Sequence, residues 1–310
     1  MLSLFREDLW AMSRERKGYY SWADRERWAL FRAMGRKRYR PCHCFENLEP
    51  RDLVDMILEG GPGIHPAIDS VFHALVRAES RFSLRFVPQR SHEERLTGNL
   101  VSEMEAALHL VKPHFSQVCE QRYGEQFTVD FFYYDLSQGG TIEKETGADL
   151  GFILLVELPD LPPLVRYVAF QAKKIRGSSQ LPKAQYDALC GAFGDAAHYL
   201  FYDMGLSTLM PPMVLSAAEI KSLRDQEEGT ESFAVSLDRV DDGLPLSLWL
   251  LTQLAASKVG MDAASFEDAF YRFTRAKNHD LAAQGRLAVL SVGKPILISR
   301  DQEIGLRVTV

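Results

Sequence analysis

Two apolar runs separated by a proline-rich segment constrain the fold of this chain most strongly. The runs cover residues 152–156 and 164–170, and both are rich in Val, Ile, Leu, Tyr and Phe. Between them lies Pro159-Asp160-Leu161-Pro162-Pro163, whose prolines interrupt any regular element. Runs of this length and composition are typical of β-strands. The pattern therefore predicts two paired strands joined by a turn, and with them a sheet.

Polar residues stand at the ends of the two predicted strands. Asp149 opens the first run, and Gln171-Ala172-Lys173 closes the second. Because side chains alternate along a strand, Gln171 and Lys173 project to one side and Ala172 to the other. An aspartate at the head of one strand then lies beside an amide and an ammonium at the tail of its neighbour. This arrangement predicts a small metal site.

The residue types suit phosphodiester hydrolysis assisted by a metal ion. Mg²⁺ (or Mn²⁺) is held by one or two carboxylates together with carbonyl groups and waters. Such an ion polarises a phosphoryl oxygen and lowers the pKa of a bound water, while a lysine stabilises charge in the transition state. We expect Asp149 to be the main metal ligand, with the Gln171 side chain and the Ala172 carbonyl as further ligands. Lys173 is the expected catalytic cation.

Each of these residues also fits a plainer role when it is taken alone. An aspartate that follows Gly147-Ala148 is most often a turn residue, and Gln171 with Lys173 could form a solvated strand end. The metal-site interpretation rests on their joint order and strand context.

At these residues the chain resembles the PD-(D/E)XK nuclease superfamily. More narrowly, it is similar to Mrr-type restriction endonucleases, in which glutamine replaces the second carboxylate. The family pattern is an acidic residue in a preceding helix, an aspartate at a strand start, and (D/E/Q)-x-K on the next strand. Asp149 matches the aspartate, and Gln171 and Lys173 match Q-x-K. The resemblance covers roughly residues 90 to 205.

The helical acid of the family pattern has several candidates in this chain. Glu94, Glu103 and Glu105 are all available. We choose Glu94, because the segment Glu93-Glu94-Arg95-Leu96-Thr97-Gly98-Asn99-Leu100 is similar to the acidic N-terminal helix of this group. The resemblance implies an Mg²⁺-dependent endonuclease in which Glu94, Asp149, Gln171 and the Ala172 carbonyl hold the metal.

The order of elements continues downstream of the Q-x-K residues. Residues 175–179 read as a loop with a serine cap, and Tyr186, Leu189 and Phe193 form an apolar helical stripe. Residues 198–202 and 213–217 read as further strands. The expected fold is α/β: a restriction-endonuclease-like mixed sheet core flanked by helices, with a helical N-terminal and an α+β C-terminal addition.

Composition shifts divide the chain into three predicted parts. Residues 1–85 form a mainly helical, basic accessory region, residues 86–218 the nuclease-like core, and residues 219–310 an extension of unknown role. In the extension we predict helices over residues 246–254 and 264–275. Its last predicted element is a hairpin of residues 287–292 and 296–299.

Basic residues indicate where a nucleic acid would bind. The formal net charge is −6, yet residues 1–40 contain 11 Lys/Arg against 5 Asp/Glu. We predict phosphate contacts from the cluster Arg36, Lys37, Arg38 and Arg40, and from Lys174 and Arg176 beside the predicted site. The alternatives are an amphipathic helical hairpin with solvated arginines for the first group and ordinary surface charge for the second.

The functional hypotheses differ in chemistry and in partner. The preferred one is a DNA endonuclease of bacterial or phage defence; the alternatives are an RNase and a catalytically weak nucleic-acid-binding or complex-assembly protein. A homo-oligomer or an activating partner protein is compatible with each. No apolar run approaches the roughly 20 residues of a membrane span, and charges interrupt the N-terminus early. We therefore expect a cytoplasmic protein without a membrane partner.

Overall fold

Among the described residues, two long helices precede the sheet in chain order. In the computed structural model, which describes residues 65–89, 91–135, 146–204, 211–226, 230–274 and 286–295, they are α1 (Pro66–Arg85) and α2 (Glu93–Tyr123). Helix α1 begins with proline, whose missing N–H is tolerated in the first turn, and the backbone N–H of Ala67 donates to His65 Nδ1. Helix α2 ends at Gly124, which takes the left-handed conformation with φ 72°.

The other elements that the structure describes are strands interspersed with shorter helices. In chain order they are β1 (Thr128–Asp135), β2 (Leu150–Glu157), β3 (Leu164–Ile175), β4 (Ser178–Pro182), α3 (Lys183–Phe193), β5 (Ala197–Asp203), β6 (Met213–Ser216), α4 (Lys221–Gln226), β7 (Ser232–Ser236), α5 (Leu237–Asp241), β8 (Leu244–Pro245), α6 (Leu246–Trp249), a π-helical turn (Leu250–Leu254), β9 (Met261–Asp262), α7 (Phe266–Thr274) and β10 (Arg286–Gly293).

The main sheet is mixed. Its strand order is β1-β10-β2-β3-β5-β6-β8, and β9 pairs with β3. Strands β10 and β2 are parallel, as are β3 and β5, whereas β1–β10, β2–β3 and β5–β6 are antiparallel. Strands β4 and β7 form a separate two-stranded sheet. The coarse prediction, an α/β protein with a mixed sheet flanked by helices, is confirmed.

The predicted strand pair forms the centre of this sheet. Leu150 pairs with Phe170 and Val156 with Leu164, so the proline-rich segment closes the β2–β3 connection. Asp160 in that connection accepts hydrogen bonds from Tyr123 and from Arg122 Nη2, the latter at 2.6 Å. The Tyr123 hydrogen bond lowers the pKa of Asp160 to about 2, so the carboxylate stays charged and ties the connection to the end of α2.

Alternating residues of the sheet face two different hydrophobic cores. Phe152 and Phe170 face the core that contains α1 and α2, whereas Ile153, Ala169 and Tyr199 face the core around α3. The apolar stripe predicted for α3 is confirmed: Tyr186, Leu189 and Phe193 are its buried residues. Burying each face of β2 and β3 explains why their sequences are nearly continuous apolar runs.

Two sequence-based predictions differ from the structure. The segment predicted as a capping loop contains β4, because Ser178–Pro182 pairs with β7, a strand whose partner the local sequence does not reveal. The run 287–292 lies in β10 and pairs with β1 and β2 inside the main sheet. Its predicted hairpin partner, residues 296–299, lies outside the described residues, as do residues 1–64.

Candidate active site

A glycine turn places Asp149 at the head of β2. Gly147 adopts φ 67°, a conformation that favours glycine, and a Cβ there would lie 2.6 Å from the carbonyl oxygen of Gln185 in α3. The Asp149 N–H then donates to the Phe170 carbonyl at 2.8 Å, which extends the β2–β3 ladder by one residue. The predicted aspartate is thus fixed by the sheet and by the first turn of α3.

The Asp149 carboxylate contacts the tail of β3 directly. Its Oδ2 accepts hydrogen bonds from Gln171 Nε2 and from the Ala172 backbone N–H, the latter at 2.8 Å. Both side chains are buried: Asp149 is 8% exposed and Gln171 1%. The structure therefore brings together the aspartate and the glutamine that the sequence pattern placed side by side.

The buried Gln171 amide has one open polar atom. Its Nε2 donates to Asp149 and, at 3.3 Å, to the Ala172 carbonyl. Its Oε1 has no hydrogen-bond partner in the part of the chain that the structure describes. Because a buried carbonyl oxygen without a partner is costly, this atom favours a ligand that the side chain can bind.

Lys173 lies on the same side and meets an acid from α2. Its Nζ is 3.7 Å from Glu93 Oε2. The other carboxylate oxygen of Glu93 accepts the Lys174 backbone N–H at 3.0 Å. The first residue of α2 is therefore anchored to the end of β3, and a second carboxylate enters the site.

These side chains share one cleft of about 420 Å³. It is lined by Glu93, Asp149, Gln171 and Lys173, and also by His92, Glu94, Arg95 and Gln185. Its wall holds carboxylates, amides and cations together, a mixture that suits the charged atoms of a metal–phosphate complex.

The candidates for the helical acid occupy different positions. Glu94 lines the cleft but is 63% exposed and pairs with Arg286 Nη2 at 3.3 Å. Glu103 pairs with Arg81 Nε at 2.7 Å and is not in the cleft wall, and Glu105 is exposed. Glu93, which we did not select from the sequence, is the carboxylate that contacts Lys173. The signal for it was present, since it is the other glutamate of the pair that opens the helix.

The predicted phosphate-binding residues are only partly described. Lys174 Nζ lies 3.5 Å from the Ser91 carbonyl, and Arg176 is exposed just past the end of β3. Both lie close in sequence to the cleft. Residues Arg36, Lys37, Arg38 and Arg40 lie outside the described residues.

The residues in the cleft fit a hard divalent cation. They offer the carboxylates of Asp149 and Glu93 and the open Gln171 Oε1, which are oxygen donors such a cation prefers. The Ala172 carbonyl is not part of the cleft wall, but it lies next to it and accepts from Gln171 Nε2 at 3.3 Å. Within the described ranges, no group of three or more His, Cys, Asp or Glu side chains could hold a metal ion. A cation bound here would therefore need neutral oxygens among its ligands.

Comparisons with known proteins do not assign the chain to a family. No protein-family model, curated protein or solved structure matches the chain. None of the helices among the described residues has the length and apolar character needed to span a membrane.

Proposed function

We propose that this protein is a metal-dependent nuclease of the restriction-endonuclease-like fold that hydrolyses phosphodiester bonds of DNA. The observation that carries the proposal is the contact of buried Asp149 with Gln171, in one cleft with Lys173 and Glu93. The order α2-β1-β2-β3-β4-α3-β5 contains, with β4 as an addition before α3, the order of elements in the family that the sequence resembles. A defence role rests on that resemblance alone.

Asp149, Glu93, the Gln171 side chain and the Ala172 carbonyl would hold the ion. Bound Mg²⁺ or Mn²⁺ would supply Lewis-acid polarisation of the phosphoryl group and a more acidic water. Burial of Asp149 and Gln171 keeps bulk water from competing for their oxygens and strengthens their electrostatic interactions. The β2–β3 ladder fixes both residues before the substrate arrives, so little reorganisation is needed.

Lys173 supplies the positive charge in this scheme. The Lys173 side chain is 13% exposed and lines the same cleft as Asp149. Its ammonium pairs with the Glu93 carboxylate. A cation fixed there stabilises negative charge that develops on the phosphoryl oxygens or orients the attacking water. Lys174 and Arg176 follow on the same strand end and would neutralise neighbouring phosphates.

The test is cleavage by purified protein in Mg²⁺ or Mn²⁺. Supercoiled plasmid, linear duplex DNA, single-stranded DNA and RNA are incubated with wild type, Lys173→Ala and Lys221→Ala. Lys221 is an exposed lysine outside the cleft, so its variant controls for loss of surface charge. We expect metal-dependent cleavage of DNA by wild type and Lys221→Ala and none by Lys173→Ala. Cleavage that survives Lys173→Ala would contradict the assignment, and preference for RNA would make the enzyme an RNase.

A second candidate function is a nucleic-acid-binding or complex-assembly protein that keeps this fold with little catalysis. The observation that favours it is the engagement of Glu93 by Lys173 and by the Lys174 N–H, which reduces the negative charge available to a metal. Nucleic acid bound equally by wild type and Lys173→Ala, with no cleavage by either, would support this candidate over the nuclease.

A further inference from the structure

A second cavity lies on the β5-β6-β8 side of the main sheet. Its volume is about 340 Å³, and its wall shares no residue with that of the candidate active site. His198 of β5 and Trp249 of α6 line it, with Glu219 and Asp242 contributing carboxylates. A cavity of this volume is in the range that holds a small organic molecule.

His198 presents an acceptor that none of the described residues uses. Its side chain is fully buried, and Nδ1 lies 3.1 Å from the Ala196 carbonyl oxygen. A carbonyl only accepts, so Nδ1 carries the proton of the neutral ring and Nε2 keeps its lone pair. Nε2 has no hydrogen-bond partner among the residues that the structure describes.

Burial keeps this imidazole neutral. It lowers the pKa of His198 to about 4, although nearby Glu219 acts in the opposite direction. At neutral pH the ring is therefore an acceptor at Nε2, and a ligand must bring a hydrogen-bond donor to it.

The other residues of the cavity wall determine whether a cationic or an anionic ligand is favoured. The rings of His198 and Trp249 are 4.8 Å apart, which places an aromatic surface in the cavity wall. Glu219 and Asp242 add negative charge; Asp242 is partly neutralised by Arg239 at 3.1 Å. Neither lysine nor arginine is among the described residues that line the cavity. An anion such as a phosphate would therefore be repelled, whereas a cation gains from the carboxylates and the aromatic ring.

The backbone of the wall is irregular in the same place. Gln253 lines the cavity from the π-helical turn Leu250–Leu254 that directly follows Trp249. Such turns are rare inside helices and are frequent at functional sites.

From the buried acceptor and the acidic, aromatic wall we propose that this cavity binds a small organic cation with N–H donors, an amine or a guanidinium. The site is separate from the candidate active site and does not depend on its activity. His198 Nε2 accepts from the donor, Trp249 packs on it, and Glu219 attracts its charge.

The experiment uses the full chain and two matched probes. Agmatine carries a guanidinium and an ammonium, and butylurea carries similar N–H donors without charge. Binding is measured by calorimetry, and the histidine side-chain ¹⁵N signals are followed by NMR. We expect agmatine to bind more tightly than butylurea. Agmatine should also shift one acceptor nitrogen signal, and that signal should be absent from the spectrum of His198→Phe.

Variants decide the assignment. His198→Phe keeps an aromatic ring and removes the acceptor. Exposed Glu219→Gln removes the charge and keeps an amide oxygen that can accept from the Ser216 N–H and hydroxyl, as Oε2 does now, so it remains informative if the first variant fails to fold. Each is expected to weaken agmatine binding at least about tenfold, while Asp149→Asn leaves it unchanged. No binding of agmatine by wild type, equal binding of butylurea, or unchanged affinity in Glu219→Gln would each overturn the proposal.

Discussion

Gln171 occupies the position where a second carboxylate would crowd Asp149. Its Nε2 donates to Asp149 Oδ2 in a site where both side chains are more than nine-tenths buried. An amide stabilises the aspartate without a metal, whereas a second carboxylate so close would repel it. The glutamine thus favours a site that is folded and ordered before any cation binds.

Gln171→Glu is predicted to make folding depend on metal. Without metal, the new carboxylate loses the hydrogen bond and adds repulsion, so the free energy of unfolding falls by about 2–4 kcal/mol. A divalent cation binds the added charge and recovers stability, as expected for a ligand of the folded state. Thermal unfolding with EDTA and with Mn²⁺ measures both effects. The control is Gln226→Glu on an exposed helix end; an equal response to Mn²⁺ in that variant would refute the prediction.

Glu93 and Glu94 offer an isosteric comparison at adjacent positions. Glu93→Gln removes the carboxylate that contacts Lys173, so we expect cleavage to fall by about 10² or more and Mn²⁺ affinity to fall with it. Glu94→Gln changes a side chain that is 63% exposed and paired with Arg286, and activity is expected to stay within about threefold. Cleavage rates and Mn²⁺ titrations of the two variants test these expectations. The reverse order of effects would return the role to Glu94.

At the scale of elements, the turn before β2 and the first turn of α3 depend on each other. Gly147→Ala places a Cβ 2.6 Å from the Gln185 carbonyl in a positive-φ conformation. We expect a loss of roughly 1–3 kcal/mol in the free energy of unfolding and weaker Mn²⁺ binding as Asp149 moves. The control is Gly191→Ala in α3, where nothing lies within 4 Å; it should raise stability by roughly 0.5–1 kcal/mol. Chemical denaturation of both variants measures these changes in the free energy of unfolding. If Gly147→Ala leaves the free energy of unfolding unchanged, the turn relaxes to accept the Cβ and the prediction is wrong.

The elements best predicted from sequence were those set by local pattern. The proline-rich segment and the apolar runs define β2 and β3, and the stripe of Tyr186, Leu189 and Phe193 defines α3. The proximity of Asp149 and Gln171 was predicted from the pairing of the two strands and the alternation of side chains along them. These features need no knowledge of distant parts of the chain.

The features that were missed depend on tertiary contacts. Adjacent residues on a helix point about 100° apart, so whether Glu93 or Glu94 meets Lys173 is set by how α2 packs on the sheet. Strand β4 exists because β7 pairs with it, and its short sequence carries no strand signal of its own. The position of β10 between β1 and β2 likewise depends on contacts between residues that are far apart in the sequence.

For the whole molecule, the buried imidazole of His198 predicts an acid-sensitive fold. Burial lowers its pKa from 6.5 to about 4, so the unfolded chain binds a proton that the folded protein excludes. Stability from this group is complete above pH 6.5 and is lost as pH falls towards 4, by roughly 1.4 kcal/mol per pH unit. Other groups titrate as well, so the test is the difference in slope between wild type and His198→Phe in urea unfolding from pH 7 to pH 4. Equal slopes would show that the fold does not lower the pKa of His198.

The place of β10 has a consequence for how the protein is made. Strand β2 ends at residue 157, but β10, which pairs with it on one side and with β1 on the other, begins only at residue 286. During synthesis the β2–β3 hairpin can pair early, yet one edge of β2 stays open and exposes unpaired backbone groups. Such late, long-range pairing is slow and leaves the nascent chain open to aggregation or chaperone capture. A cleft supported by β2 therefore matures last, and any activity of that cleft would be withheld until residues 286–293 have left the ribosome.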